Sequence, residues 1–467
     1  MSKKKSGNTV VGYDINDVYA QISYMRVNDS EPQTASVVLG AEQYDIPVAL
    51  RPKQGTKLWY YGKEALKGDD SGKTQASNPA ATVALSHAPI TRLLSLAIEG
   101  AMISVDGYPD GHEDGKGEQK RNQSGSQIGS QISSQLDPVA LLALFIKRSL
   151  SVLTTSVKMS DVAVFMFTTP VITPRVIEIF TEVARNLEIS PERVFLQGYH
   201  ESVFQYIIHQ PQEFRQHQVL LFDYTSHLKA MMVRSNKRTT PTVVYIDSKS
   251  HPSFYYTSVS ATGLSATVRE DWDRRFLAIA EEAAAGELIS SVYLIGEGFK
   301  EDWAFESLKY LCRGRRVFRG SNLYSKGAAY GAMEKLSPTE QGKSLIFLGE
   351  DRLKANIGMR LIVGGEEAYH AILDAGGNWY ECNTSFEVIM DGGSELALVV
   401  TALTGGVVSE RLISLDGLPE RERRTTRLRI DINMESVSTV RLEVTDLGFG
   451  EIQPASGKFW IREFTVS

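Results

Sequence analysis

The stretch Val219-Leu220-Leu221-Phe222-Asp223-Tyr224-Thr225-Ser226-His227 constrains the fold most, because an apolar run ends in one acid and then turns polar. A strand reads this way when both faces are buried and its C-terminal end delivers a carboxylate. Ligands collect at such ends in α/β sheets. Thr9-Val10-Val11-Gly12-Tyr13-Asp14-Ile15-Asn16 repeats the idea near the start of the chain. Val292-Tyr293-Leu294-Ile295-Gly296-Glu297-Gly298 ends in glycine instead. Two strand-end acids and one strand-end glycine turn, in that order, predict a nucleotide cleft between two lobes.

At 467 residues the chain has room for two or three domains, on a prior of about 150 residues each. Its net charge of −6 gives no general attraction to nucleic acid or to an anionic membrane, and neither is expected as a partner. Lys3-Lys4-Lys5 has no apolar segment behind it, so it reads as a solvated tail and not as a signal or anchor. No stretch reaches the ~20 apolar residues of a membrane span. Cys312 and Cys382 fit no metal or redox spacing. A reduced, cytoplasmic protein is expected.

Residues 1–8 are expected to be a disordered tail. Residues 105–136, rich in Gly, Ser, Gln, Asp and Lys, cannot support a core and read as a disordered insertion. Asp137-Pro138 opens a helix, and Thr173-Pro174 opens another through Ala184. Another is predicted from about Asp271 to Glu282. Ser325-Lys326-Gly327-Ala328-Ala329-Tyr330-Gly331-Ala332 is a helix of small residues that can pack closely on another. Composition shifts near Leu336. From Ser344 onward the chain is nearly all strand, with hairpin signals at Asp391-Gly392-Gly393, Gly405-Gly406 and Gly448-Phe449-Gly450. Arg427 to Asn433 and Thr439 to Val444 alternate cleanly, which predicts one buried and one solvated face and a β-sandwich over 344–467.

Taken together, the order of elements resembles the seventy-kilodalton heat-shock (DnaK-type) chaperone family, on the actin-like ATPase fold, over nearly the whole chain. Val11-Gly12-Tyr13-Asp14-Ile15 is similar to the family's first phosphate motif, and Leu221-Phe222-Asp223 to the start of its second. Tyr199-His200-Glu201-Ser202 resembles the connecting segment with its acid. Leu294-Ile295-Gly296-Glu297-Gly298, followed by Ser325 to Gly331, resembles the adenosine motif and its partner helix. The strongest likeness is C-terminal. Ile413-Ser414-Leu415-Asp416-Gly417-Leu418-Pro419, Arg427 to Asn433 and Val440-Arg441-Leu442-Glu443-Val444 are similar to the peptide-binding β-domain. Ser344-Leu345-Ile346-Phe347-Leu348 stands where the apolar interdomain linker would be. The resemblance implies a two-lobed α/β nucleotide-binding domain over 9–335, a boundary at 336–343, and a sandwich that binds a protein or peptide.

The same resemblance implies nucleotide contacts from Gly12, Asp14, Asn16, Asp223, Thr225, Gly296, Gly298 and Lys300. It implies magnesium held through water by Asp14 and Asp223, and Glu201 as the candidate catalytic acid. Departures from the family weaken that site. Tyr224-Thr225-Ser226-His227-Leu228-Lys229-Ala230 replaces a glycine run whose backbone amides would turn toward phosphate. Asp17 adds negative charge to the first loop, and Leu66 stands where the catalytic lysine is expected, with Lys67 one position late. The gap from about Thr262 to Asp271 is too short for the helical subdomain that clamps adenine, and no helical lid follows Phe459-Trp460-Ile461. Gly12, Gly296 and Gly298 read equally as plain turn glycines, Asp14 and Asp223 as strand-end caps, Glu201 as a helix cap and Lys300 as a solvated helix lysine. His227 reads as structural, and Arg421-Arg423-Arg424-Arg427 as a solvated loop.

Three functions are compatible with these residues. One is a divergent chaperone-like regulator or protein-binding scaffold that binds ATP or ADP with magnesium weakly or not at all. The others are an active ATP-driven chaperone and an actin-like filament scaffold of the cell-division or pilus type. The missing glycines and lysine favour the first.

Overall fold

The structure is a computed structural model that describes residues 7–38, 40–53, 58–67, 88–106, 133–237, 241–256, 265–403 and 407–466. The lysine run, most of the expected insertion, the stretch around Thr262 and the Gly405-Gly406 turn lie outside them. The chain divides into two compact units: Met1–Gln210 with Gly320–Pro338, and Pro211–Arg319 with Thr339–Ser467. The division therefore does not follow the compositional shift near Leu336. It groups the C-terminal strands with the second α/β sheet.

The sheet of the first unit is built from β1 (Thr9–Ile15), β2 (Tyr19–Arg26), β3 (Gln33–Thr34), β4 (Val162–Thr169) and β5 (Val194–Gly198), in the order β5-β4-β1-β2-β3. Every residue of β1 is buried, as expected of a largely apolar central strand. Val11, Tyr13 and Ile15 point to one face, where the Tyr13 and Phe167 rings lie 5.4 Å apart. That face is covered by α1 (Pro138–Ser149) and α2 (Pro174–Asn186), which bury Leu142, Phe145, Ile179 and Phe180. Both helices start as predicted: Asp137 accepts from the Val139 amide at 3.0 Å and Thr173 from the Val176 amide at 3.2 Å. Pro138–Thr155 is apolar enough by composition to cross a membrane, yet most of it is buried against this sheet. Val10, Gly12 and Asp14 face the other way, toward α3 (Tyr199–Ile208) and α6 (Leu323–Leu336).

The second unit repeats this plan. Its sheet holds β6 (Gln218–Asp223), β7 (His227–Asn236), β8 (Thr242–Tyr255), β9 (Ile289–Ile295), β10 (Arg316–Gly320) and β11 (Leu345–Phe347), in the order β10-β9-β6-β7-β8-β11. In each unit an antiparallel three-strand meander receives a parallel strand beside its first member, β4 on β1 and β9 on β6. A fifth strand follows outside it in both. The longer helices of this unit are α4 (Ala266–Ala284) and α5 (Phe305–Leu311). The first of them begins five residues before the predicted Asp271, because the Ser265 hydroxyl caps the Val268 amide.

Two boundaries differ from expectation. Ile103–Asp106 pairs antiparallel with Ser133–Leu136, so both ends of the supposed insertion are strand and only 107–132 remains undescribed. At the other boundary, β11 pairs in parallel with Thr242–Val244 of the second sheet, so Leu345–Phe347 belongs there and not to the sandwich. Gly7 and Asn8 are also ordered. The Asn8 carbonyl accepts from the Val27 amide, and Gly7 lies against the backbone of Asp161.

The sandwich proper starts at β12. One sheet holds β12 (Ala355–Val363), β13 (Glu366–Leu373), β15 (Glu395–Ala402) and β16 (Val408–Ser414), in the order β13-β12-β15-β16. The other holds β14 (Asn383–Met390), β17 (Thr426–Met434), β18 (Thr439–Gly448) and β19 (Phe459–Thr465), in the order β14-β17-β18-β19. The predicted alternation of β17 and β18 is present: Leu428, Ile430, Ile432, Val440, Leu442 and Val444 are buried and the residues between them are not. Asp391-Gly392-Gly393 is not a hairpin, because it joins β14 of one sheet to β15 of the other. The hairpin glycines at that end are Gly364 and Gly365, both at positive φ between β12 and β13.

Candidate functional site

In the first unit the expected phosphate loop is a closed turn. The Asn16 side chain accepts from the amides of Val18 (2.8 Å) and Tyr19 (3.0 Å), so two N–H groups that would face a phosphate are already bonded. Its Nδ2 donates to the Tyr199 hydroxyl at 3.0 Å, and that hydroxyl donates to Asp14 Oδ1 at 2.7 Å. Asp14 is fully buried at the end of β1. Burial and then the Asp14 carboxylate push the Tyr199 phenol well above its ordinary value, which keeps it a neutral donor. Tyr199 in turn stacks on Tyr324 of α6 at 3.8 Å. Asp17 is held by Ser95, whose amide donates to it at 2.9 Å and whose hydroxyl also reaches it. Glu201 lies buried in the first turn of α3.

Gly12 packs closely against α6. A Cβ there would stand 2.3 Å from the Ala329 nitrogen and 2.3 Å from the Ser325 carbonyl oxygen, both backbone atoms of α6. Gly327 of α6 meets the Ser202 carbonyl of α3 in the same way, at 2.0 Å. The small residues of α6 therefore serve two close approaches at once, to β1 and to α3. Gly12→Ala is expected to cost about 1–3 kcal/mol, because backbone cannot step aside as a side chain can. Chemical denaturation of the full chain measures it.

In the second unit the expected glycine positions serve Tyr224. Its ring is fully buried within reach of Phe254 (5.0 Å), Tyr256 (5.7 Å), Phe299 (5.7 Å), Trp303 (6.1 Å) and Trp272 (6.4 Å). A Cβ on Gly298 would stand 2.1 Å from that ring. At Gly296, where φ is +97°, it would stand 2.5 Å from the Tyr224 carbonyl carbon. The Gly298 amide donates to the Tyr224 carbonyl at 3.0 Å, and the Tyr224 amide to the Ile295 carbonyl at 2.9 Å. Both glycines are thus explained by the tyrosine. Asp223 Oδ1 accepts from the Thr225 amide (3.0 Å) and hydroxyl (2.6 Å), which closes the β6–β7 turn much as Asn16 closes β1–β2.

The remaining candidates are surface or structural. Lys300 pairs with Glu297 on the same turn, and Lys67 with Glu64 at 2.6 Å. Leu66, at the position expected for a lysine, is exposed. His227 sits between the hydroxyls of Ser226 (3.2 Å) and Ser250 (2.7 Å), its pKa lowered by burial and then by Lys229. Among the described residues no group of three or more His, Cys, Asp or Glu side chains is placed to hold a metal ion. These loops suit a magnesium–polyphosphate poorly: the amides of Val18, Tyr19 and Thr225 are bonded to side chains of the turns, Asp14 and Asp17 accept from Tyr199 and Ser95, and the Tyr224 ring occupies the glycine corner.

The basic run departs from the expected solvated loop at Arg421, whereas Arg423 and Arg424 are exposed in a loop and Arg427 lies in β17. Arg421 is buried and forms two parallel bonds to buried Asp446, at 2.7 and 2.8 Å. Arg423 and Arg424 both pair with Asp391, and Arg427 with Glu387. Sequence reasoning also missed Tyr199 and Tyr224, because a tyrosine beside an acid reads as filler until its ring is placed.

The opening in the sandwich is a fork in one sheet. β12 and β15 pair only from Ala355↔Ala402 to Gly358↔Val399. Beyond that point β12 continues with β13 to Val363↔Glu366, and β15 with β16 to Glu395↔Ser414. The sheet splits into two ribbons, so Met359–Val363 and Glu395–Leu398 do not pair with each other. A cavity of about 690 Å³ opens beside Met359, Leu361, Val363, Val388, Ile389 and Leu396. Ile362, Val363 and Ile389 are more than half exposed, at 59%, 65% and 53%.

Comparison with known sequences gives no chemistry. Residues 123–350 match a family of unknown function (DUF5716), C-terminal, and residues 352–466 match a domain of unknown function (DUF8552). No curated protein matches the chain. The two matched regions meet just after β11 and just before the sandwich, at the junction found in the fold.

Proposed function

We propose that this chain is a divergent relative of the seventy-kilodalton heat-shock chaperones on an actin-like fold, and that it works as a polypeptide-binding scaffold with a degenerate nucleotide site. The repeated meander-plus-parallel-strand plan supports the fold. Consumption of the loop amides by Asn16 and of the glycine corner by Tyr224 supports loss of nucleotide binding.

The forked sheet carries the functional reading. Each facing edge of the fork lacks its ladder partner over four or five residues, and the lining combines apolar side chains with charged ones such as Arg360, Glu395 and Glu410. An extended segment entering it gains main-chain bonds from both ribbons and a site for alternate apolar side chains. A volume of about 690 Å³ falls within the ~300–1,000 Å³ usual for ligand clefts. Glu395 and Glu410 at the rim have no ion pair among the described residues, whereas Asp391 and Glu387 do, so a segment with an apolar centre and basic flanks suits it best.

A labelled peptide of that pattern should bind in fluorescence anisotropy, and Leu361→Glu should weaken it about tenfold or more. Equal binding by the variant, or none by either protein, rules the scaffold out. In calorimetry, ATP and ADP with magnesium should give no heat at millimolar concentration. Micromolar binding that is lost in an Asp14→Ala, Asp223→Ala double variant would instead restore the active chaperone.

A further inference from the structure

The sheet of the second unit ends differently on its two sides. On one side β11 covers β8. On the other, β10 is the outermost strand, and it continues a strongly basic run, Arg313-Gly314-Arg315-Arg316-Val317-Phe318-Arg319. Arg313, Arg316 and Arg319 are exposed and Arg315 is half-buried. An outermost strand presents main-chain N–H and C=O groups on one side, and can template another strand.

These arginines are held differently from those of the sandwich. There, Arg421, Arg423 and Arg424 are each bonded to an acid at short range. Here two guanidinium groups lie over rings, Arg316 over Phe214 at 5.0 Å and Arg315 over Tyr310 at 5.2 Å. Stacking fixes the plane of the fork and leaves its N–H groups free for a carboxylate. Acid contacts are sparse and at the surface: Arg316 to Glu213 at 3.5 Å and Arg319 to Asp302 at 3.1 Å. Arg313 has no ion pair among the described residues. Phe318, stacked on Tyr293 and tilted against Phe214 at 5.0 Å from each, fixes the strand that carries them.

We propose that β10 is a docking strand for an extended acidic segment of a partner protein, which adds to the sheet edge while its carboxylates meet Arg313, Arg315, Arg316 and Arg319. An arginine-lined edge also guards a protein against pairing with itself, and an acidic strand is the partner that this guard admits. A single-stranded nucleic acid would meet the arginines but could not add a strand to the sheet edge.

The test uses the full chain and a fluorescein-labelled peptide of alternating glutamate and valine. Binding should be seen in anisotropy and should fall about tenfold or more in the exposed double variant Arg313→Glu, Arg316→Glu. The same peptide with alternate backbone nitrogens methylated keeps its charge but loses its ladder bonds, and should bind far more weakly. Equal binding of the methylated peptide, or tighter binding of a single-stranded oligonucleotide of equal charge, would overturn edge pairing in favour of a general polyanion patch. No binding of the acidic peptide would leave the arginines as a guard alone. Leu361→Glu should not alter this binding, which separates it from the groove in the sandwich.

Discussion

Arg421→Met is expected to destabilise the protein by about 3–5 kcal/mol, because it leaves the buried Asp446 carboxylate without its counter-charge. The methionine keeps the aliphatic stem, so the loss reports the charge and its bonds more than packing. Burial alone would raise the Asp446 carboxyl. Arg421 and the amides of Ser456 and Gly448 reverse this and hold it far below the ordinary carboxylate range. A carboxyl depressed in the folded state contributes its full stability above its unfolded value of about 3.9, and loses it as pH falls toward the folded value. The wild-type advantage over Arg421→Met should therefore be largest at neutral pH and should shrink progressively below about pH 4. Urea unfolding at both ends of that range measures it. A gap that stays constant with pH would mean that Asp446 does not carry the effect.

Tyr224→Ala should cost a similar amount, about 3–5 kcal/mol, as expected for removing a large ring from a packed core. The ring is the hub of the aromatic cluster joining β6, β8, α4 and the turn after β9, and Gly298 has no side chain because the ring is there. Tyr224→Phe, which keeps the ring, should stay within about 1 kcal/mol. Near-wild-type stability of Tyr224→Ala would show that the cluster closes around the gap. Even then Asn16 would still hold the amides of Val18 and Tyr19, so the variant should not acquire nucleotide binding. Calorimetry with ATP and magnesium tests this directly.

Much of the architecture was legible from pattern alone. The apolar-rich runs Val10–Ile15 and Val219–Phe222 read as central strands, and the alternating Leu428–Met434 and Val440–Val444 as half-buried ones. Asp137-Pro138 and Thr173-Pro174 declared their helices because capping is a local interaction. Legibility failed where a contact joined distant parts of the chain. The Asp391-Gly392-Gly393 turn has hairpin chemistry, yet its flanking strands take partners in different sheets. Leu345–Phe347 looks like the first strand of the sandwich, yet it completes the sheet before it.

For the candidate site the limit was sharper. Asp14 and Asp223 were identifiable as strand-end acids, since an acid closing an apolar run is visible in one dimension. What their oxygens meet was not. Tyr199 lies 185 positions from Asp14, and Ser95 lies 78 from Asp17. The sequence by itself determined which residues form buried strands, where capped helices begin, and that the turn after Asp223 lacks a glycine run, because periodicity, capping and backbone freedom act over a few residues. Only the tertiary structure decided that Gly12, Gly296 and Gly298 answer to a helix and a tyrosine ring, that Arg421 is buried against Asp446, and that one sheet forks. Those outcomes depend on which surfaces meet, and exclusion of one atom by another acts only at contact.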